Sequence, residues 1–396
     1  MTEETVMAGP PLKSCILVFD PGALGQRFGP EHPERLRPLL RELAAVQGEA
    51  GLSAELLEVP ARRQPGAAGL RRILEEHHGA PCGDRAYLLV GGGDVLPPFS
   101  LPDPTAPDQR VFSDQVHGAS GPGLEDLLDR DRSPVGRLPG EPGAEGDAGG
   151  EALEEQVRWM IRAHRRGPPR AGTFALSAAV WRESTEGVLA ALPSRRRVLE
   201  LSDPLRLGDL EPERLADRAW IHFNLHGRPE DPYWRGTGEP SWKRRRVVEP
   251  QALLQARVAG AVVFSQCCFG ARTRGRTRHT SNALALLHRG VRCYVGCLET
   301  SYGSDGERQK ELEESDVVAH HFWRLVRAGE RTGTALVEAQ RRFGALARAS
   351  RQGLDEDDHK TLLTFALYGD PSLRGAADGD DTALPGRSAQ NRAHQS

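Results

Sequence analysis

The chain has 396 residues, 38% hydrophobic and 27% charged, with a formal net charge of −3, a composition that excludes fibrous and wholly disordered classes and gives no global pull toward nucleic acid or membrane. At about 150 residues per unit, the length suits two or three units or one large two-layered catalytic unit. The opening MTEETVMAGPPLKS lacks a basic stretch followed by an apolar run, no later run approaches a membrane span, and six cysteines in so long a chain suit a reducing compartment, so a cytoplasmic protein is expected.

In chain order, residues 1–12 read as a flexible lead. CILVFD (15–20) is a first strand, ERLRPLLRELAAV an amphipathic helix and YLLVGG (87–92) a second strand. The glycine cluster GGGD (91–94) follows that strand, but the next residues are VLPPFSLPDP. Two adjacent prolines do not open the helix a phosphate-cradling loop needs, so Asp94 and Asp114 read as loop-ordering residues near a cleft. Residues 119–152, rich in Gly, Pro and acid, read as an exposed flexible connection.

After the helical pattern EALEEQVRWMIRAHRR come strands at TFALSAAV (173–180), RVLELSD (197–203), WIHFNLHG (220–227), AVVFSQC (261–267) and VRCYVGCLE (291–299), with helical EPQALLQARVAG and SNALALLHRG between the last three. Two long helical patterns, 315–329 and 331–349, follow, and the polar tail 376–396 reads as disordered. The alternation predicts an α/β fold, a mostly parallel sheet with helices on both faces. It divides into two α/β subdomains, 13–168 and 169–375.

In such sheets reactive groups gather beyond the carboxyl ends of neighbouring strands. WIHFNLHG delivers His226 and Gly227, and AVVFSQCC delivers Cys267 and Cys268, one helix later, so a right-handed crossover makes the strands neighbours. A thiol beside an imidazole is the minimum for a cysteine nucleophile. Gly227 leaves its N–H free to approach an oxyanion. The bland reading is that a strand cysteine is a small core residue and His-Gly a turn. The pattern does not choose between the two sulfurs. As metal ligands they are poor: Cys267 and Cys268 project to opposite faces, and Cys293 and Cys297 sit roughly 13 Å apart along their strand.

At these residues the sequence resembles the caspase–hemoglobinase fold cysteine peptidases, and within them the gingipain family. His-Gly after an apolar strand and a cysteine three residues before a glycine are joined, in the family's order, by ILEEHHGAPCGDRAYLLVGGGDVLPP (73–98), FSDQVHG (112–118), VGRLP (135–139), ETSYGSD (299–305) and FALYGDPSL (365–373). The resemblance spans about 15–373 and implies a caspase-like fold and hydrolysis of peptide bonds through a thioester acyl-enzyme. By position it implies Cys267 as nucleophile, His226 as its histidine, the amides of Gly227 and Cys267 as oxyanion hole, and Tyr302 and Trp234 as aromatic walls of the substrate site. Cys268 is then a packing residue.

The family's acid for basic substrates falls in AVWRESTEG (179–187), where Arg182 stands beside Glu183, and a shift of one residue reverses the substrate charge. The resemblance implies a protein or peptide substrate and no metal or organic cofactor. Counterparts of the gingipains' pro-segment and C-terminal modules are not expected, and control by a regulatory protein or by cleavage in 119–152 or 271–279 is expected. The arginine-rich SWKRRRVVE (241–249) and ARTRGRTRH (271–279) read first as solvated loops, and with only Trp242 among them they do not suggest nucleic acid. The rival readings are a non-catalytic scaffold on the same fold and another cysteine hydrolase or acyltransferase.

Overall fold

In a computed structural model the described residues are 10–60, 66–141, 148–167, 172–237, 244–304, 312–351 and 353–375. The lead 1–9, the tail 376–396 and residues 241–243 of the first arginine-rich stretch lie outside them.

The elements run, in order, β1 (Ser14–Phe19), α1 (Pro21–Phe28), α2 (Glu31–Glu49), β2 (Ser53–Glu58), α3 (Ala67–His78), β3 (Arg85–Val90), a hairpin of β4 (Phe99–Asp103) and β5 (Ala106–Ser113), α4 (Leu124–Leu128), β6 (Val135–Leu138) and α5 (Ala148–Arg166). There follow β7 (Thr173–Ala178), α6 (Arg182–Leu189), β8 (Arg197–Ser202), β9 (Trp220–Asn224), then β10 (His226–Arg228), β11 (Asp231–Gly236) and β12 (Arg245–Val248), α7 (Pro250–Gln255), β13 (Val262–Ser265), α8 (Asn282–His288) and β14 (Cys293–Cys297). The last elements are α9 (Glu314–Arg327), α10 (Thr332–Arg351), α11 (Glu356–Thr364) and β15 (Phe365–Gly369).

One 10-stranded sheet has the order β2-β1-β3-β6-β15-β14-β13-β9-β7-β8. Every neighbouring pair is parallel except β14 with β15. The sheet is therefore two parallel blocks running in opposite directions, with β15 belonging by direction to the first block. The central strands β7, β9, β13, β14 and β15 are buried along their whole length, which is why they read as unbroken apolar runs.

Helices cover both faces. Phe264 of β13 packs against Phe322 and Trp323 of α9, at 5.2 and 6.2 Å between ring centroids. Its neighbour Val263 joins the opposite core cluster with Leu284 and Leu286 of α8. Of the stretch 119–152, residues 142–147 lie outside the described residues, and 132–141 depart from expectation. Residues 132–141 are all buried and supply β6, a central strand between β3 and β15. Its Arg137 is neutralised by a bidentate bond to Asp114, both nearly inaccessible, so the Gly and Pro around it mark tight turns at the strand ends rather than slack.

Candidate active site

β9 and β13 are parallel neighbours, His222 opposite Phe264, so the chain after each emerges at the same edge. Past β9 the chain turns into β10, which begins at His226 and pairs with β11. Past β13 it makes a tight turn, closed by the Gly270 N–H donating to the Cys267 carbonyl at 2.9 Å, with Phe269 held at a φ of 56°. A positive φ at a bulky residue costs on the order of 1–3 kcal/mol and persists where surrounding structure enforces it. Here the Phe269 and Ala271 amides donate to the carbonyls of Glu299 and Cys297, both at 2.9 Å.

Burial separates the two sulfurs. Val263, Ser265 and Cys267 share one face, and Cys267 is fully buried in the cluster formed with α7 and α8. Burial pushes its thiol up to about 12. Phe264 packs on Phe322 of α9, and Gln266 donates to Ser315 and Asp316 at the start of that helix. The Cys268 sulfur lines a cavity of about 200 Å³ together with Trp181, Asn224, Gln266, Tyr302 and Asp316. The expected placement of Cys267 in the cleft is thus not met, and the cysteine that opens onto it is the next one.

The surroundings of Cys268 are polar and local. Its Sγ accepts from the Ser301 N–H at 3.4 Å and donates to the Ser301 carbonyl at 3.6 Å. Burial raises its pKa, while the backbone amides of Ser301, of Cys268 itself and of Gly227 favour the thiolate. Gly227 lies so close that a Cβ there would sit 1.7 Å from the Cys268 carbonyl oxygen. The amides around this sulfur are thus those of Ser301, Cys268 and Gly227.

His226 precedes that glycine and is half-buried; its ring lies 4.3 Å, centroid to centroid, from that of Trp181. Burial, helped by the positive charges of Arg244 and Arg228, lowers it to about 4, so the imidazole is neutral at pH 7.

Of the other expected residues, Tyr302 is a cavity wall. Trp234 is not: it is 4% exposed and packs on Phe223 in the core at 4.9 Å. Arg182 and Glu183 open α6 on its exposed side, Arg182 bonding to Glu186 at 2.9 Å. Their helical neighbours Trp181 and Ser184 face the cavity instead.

The acid in the cavity is Asp316, in the first turn of α9 and almost inaccessible. It accepts from Gln266 Nε2 at 2.7 Å and from the Ser304 N–H at 2.9 Å, and no lysine or arginine among the described residues pairs with it. Burial raises its pKa against those bonds. The sequence signal was slight: one aspartate in an acidic helix start, ELEESD.

Three of the four arginines of 271–279 are held against the protein, and Arg274 is exposed. Arg276 donates to the Pro229 carbonyl, Arg278 pairs with Glu141 at 2.9 Å, and Arg272 lies over the Phe269 ring at 5.8 Å. Among the described residues no cluster of three or more His, Cys, Asp or Glu side chains is placed to hold a metal, and no helix is long and apolar enough to cross a membrane.

No protein-family model and no curated protein matches the chain. Among solved structures it is similar to a protease, at 11% identity over 94% of this chain and 80% of that one, with a TM-score of 0.58. It also aligns with Saccharomyces cerevisiae separase from a separase–securin complex, at 13% identity over 72% of this chain and 16% of that one, but with a TM-score of 0.39. The likeness is one of fold. The chain is a mixed α/β protein whose large, mostly parallel central sheet is flanked by helices in the caspase-like manner.

Proposed function

We propose that the protein is a cysteine endopeptidase that cuts after a basic residue, with Cys268 as nucleophile and His226 as its acid–base partner. The observation that carries this reading is Cys268 on a cavity wall, its thiolate favoured by the amides of Ser301, Cys268 and Gly227, with a buried carboxylate in the same cavity that no lysine or arginine among the described residues pairs with.

With both groups neutral at rest, His226 takes the thiol proton as Sγ attacks the scissile carbonyl carbon. The amides of Gly227 and Cys268 hold the oxyanion. The C–N bond then breaks, His226 returning the proton to the leaving amine, and a thioester remains on Cys268. Water, deprotonated by His226, attacks the thioester; the C–S bond breaks and the carboxylate product leaves. A buried carboxylate without a lysine or arginine partner among the described residues recognises a guanidinium or ammonium group, so Asp316 supplies the preference that Arg182 and Glu183 were expected to supply. Cys267 is the inert packing residue.

Iodoacetamide labelling and a peptide library test the reading together. Cys268 is expected to take up one equivalent of label, with uptake slowed in His226→Ala, and cleavage is expected after Arg or Lys. Cys268→Ala abolishes turnover while Cys267→Ala keeps it. Loss of turnover in Cys267→Ala with a folded protein, or cleavage after acidic residues, overturns the assignment. Slow, equal labelling of wild type and His226→Ala, with no peptide cut, favours the non-catalytic scaffold.

A further inference from the structure

The phenol of Tyr302, a wall of the Cys268 cavity, ends against a buried lysine. Lys360 of α11 places its Nζ 2.7 Å from Asp103 Oδ2, 3.0 Å from Thr105 Oγ1 and 3.4 Å from the Tyr302 hydroxyl. Its ammonium also lies 5.4 Å from the centroid of the Tyr302 ring. Asp103 Oδ1 accepts from the Thr105 N–H at 2.9 Å and from its hydroxyl at 3.0 Å, and that hydroxyl sits 3.4 Å from the Tyr302 oxygen. Three remote segments meet here: the tip of the β4–β5 hairpin, the loop after β14, and α11.

The Lys360 and Asp103 side chains are 6% and 4% exposed. A buried lysine–carboxylate pair is a weak way to add stability, because removing both ions from water offsets most of their attraction, and apolar replacements of similar size are often neutral or better. What such a pair supplies and an apolar pair does not is direction. It fixes one hydroxyl and one ammonium beside a phenol, at lengths that hold the ring loosely compared with the 2.7 Å ion pair.

We propose that Lys360 is a positioning residue that holds Tyr302 as the wall of the substrate cavity, and that through Asp103 and Thr105 the β4–β5 hairpin sets how that wall receives the peptide. The inference rests on the peptidase reading for its kinetic consequence, but not for its geometry. Substrate binding in the second block of the sheet then depends on a hairpin contributed by the first.

The test compares Lys360→Arg, Lys360→Met, and the tandem Lys360→Met/Asp103→Leu, which removes the lone buried carboxylate that could unfold the single variant. With a peptide carrying arginine before the scissile bond, the tandem variant is expected to raise KM roughly 10-fold with kcat held within about 2-fold, the pattern of lost binding rather than lost chemistry. Lys360→Arg rescues most of it. On top of Tyr302→Phe, the tandem change adds little, since the two act through one contact.

A folded tandem variant with unchanged KM, or an equal KM rise on top of Tyr302→Phe, overturns the proposal. The rate of Cys268 alkylation by iodoacetamide reads the wall without turnover. A several-fold change in the tandem variant supports the positioning role, and an unchanged rate overturns it, even if the wild type cuts no peptide and the peptidase reading itself has failed.

Discussion

Adjacent sulfurs in one turn live in different media. Cys267 continues the face of Val263 into an apolar layer, and Cys268 continues the face of Phe264 and Gln266 toward α9. The alternation itself was legible in the sequence, since period two places neighbours on opposite faces. Which face carried the cavity was not, because that depends on where α9 packs; the resemblance points to Cys267, whereas the residue that lines the cavity is Cys268.

Gly227 offers the sharpest test at this scale. A methyl there would land on the Cys268 carbonyl at 1.7 Å, against backbone that cannot swing aside. Gly227→Ala is expected to displace one of the amides around the sulfur and cut kcat roughly 100-fold or more, the usual cost of an oxyanion donor, with the fold intact by circular dichroism. A kcat within a factor of about three of wild type would remove that amide from the mechanism.

Among the elements, β15 is the one the sequence hid. FALYG has the length and apolar character of a strand, but nothing local says that it inserts between β6 and β14, more than 200 residues and about 70 residues away in the chain respectively, a non-local pairing of the kind that escapes local patterns. β2, β6 and the hairpins were missed likewise, being short or set among turn residues, whereas long periodic helices such as α2, α5, α9 and α10 were plain.

The end of β15 is fastened by Asp370. Its carboxylate accepts from His164 of α5 at 2.8 Å, from Gln47 of α2 at 2.7 Å, and from the Ser372 N–H and hydroxyl at 2.8 and 2.6 Å. Burial pushes this acid up, but the His164 bond and charge and the Ser372 donors outweigh it and hold it below the usual range. Asp370→Asn turns an amide toward those donors and is expected to destabilise the protein by about 3–5 kcal/mol, measured as a shift in the urea midpoint. A loss under about 1 kcal/mol would mean the fastening is cosmetic.

Across the whole molecule, buried neutral histidines set the pH range. Burial lowers His222 to about 3 and His117 to about 4, the latter despite the opposing charge of Asp114. A histidine whose folded pKa lies below its unfolded value of 6.5 leaves stability untouched above 6.5. As pH falls below 6.5 the unfolded chain takes up protons that the folded chain refuses, and stability drops until the folded groups titrate. The slope is on the order of 1.4 kcal/mol per pH unit for each group. Asp370, its folded pKa depressed, adds its own loss at lower pH still. Tm is therefore expected to be level above pH 7 and to fall steadily from 6.5 toward 4. A flat Tm between 6.5 and 4.5 would contradict the buried, neutral state of these rings.

Strand β15 joins the two oppositely running blocks at the middle of the sheet. During synthesis, then, β6 and β14 each keep one unpaired edge until residue 369 has left the ribosome. The Cys268 turn leans on the carbonyls of Cys297, at the end of β14, and of Glu299 just past it, on the strand that gains its second neighbour only then. Translation order itself thus leaves the middle of the sheet to close last, when nearly the whole polypeptide is out.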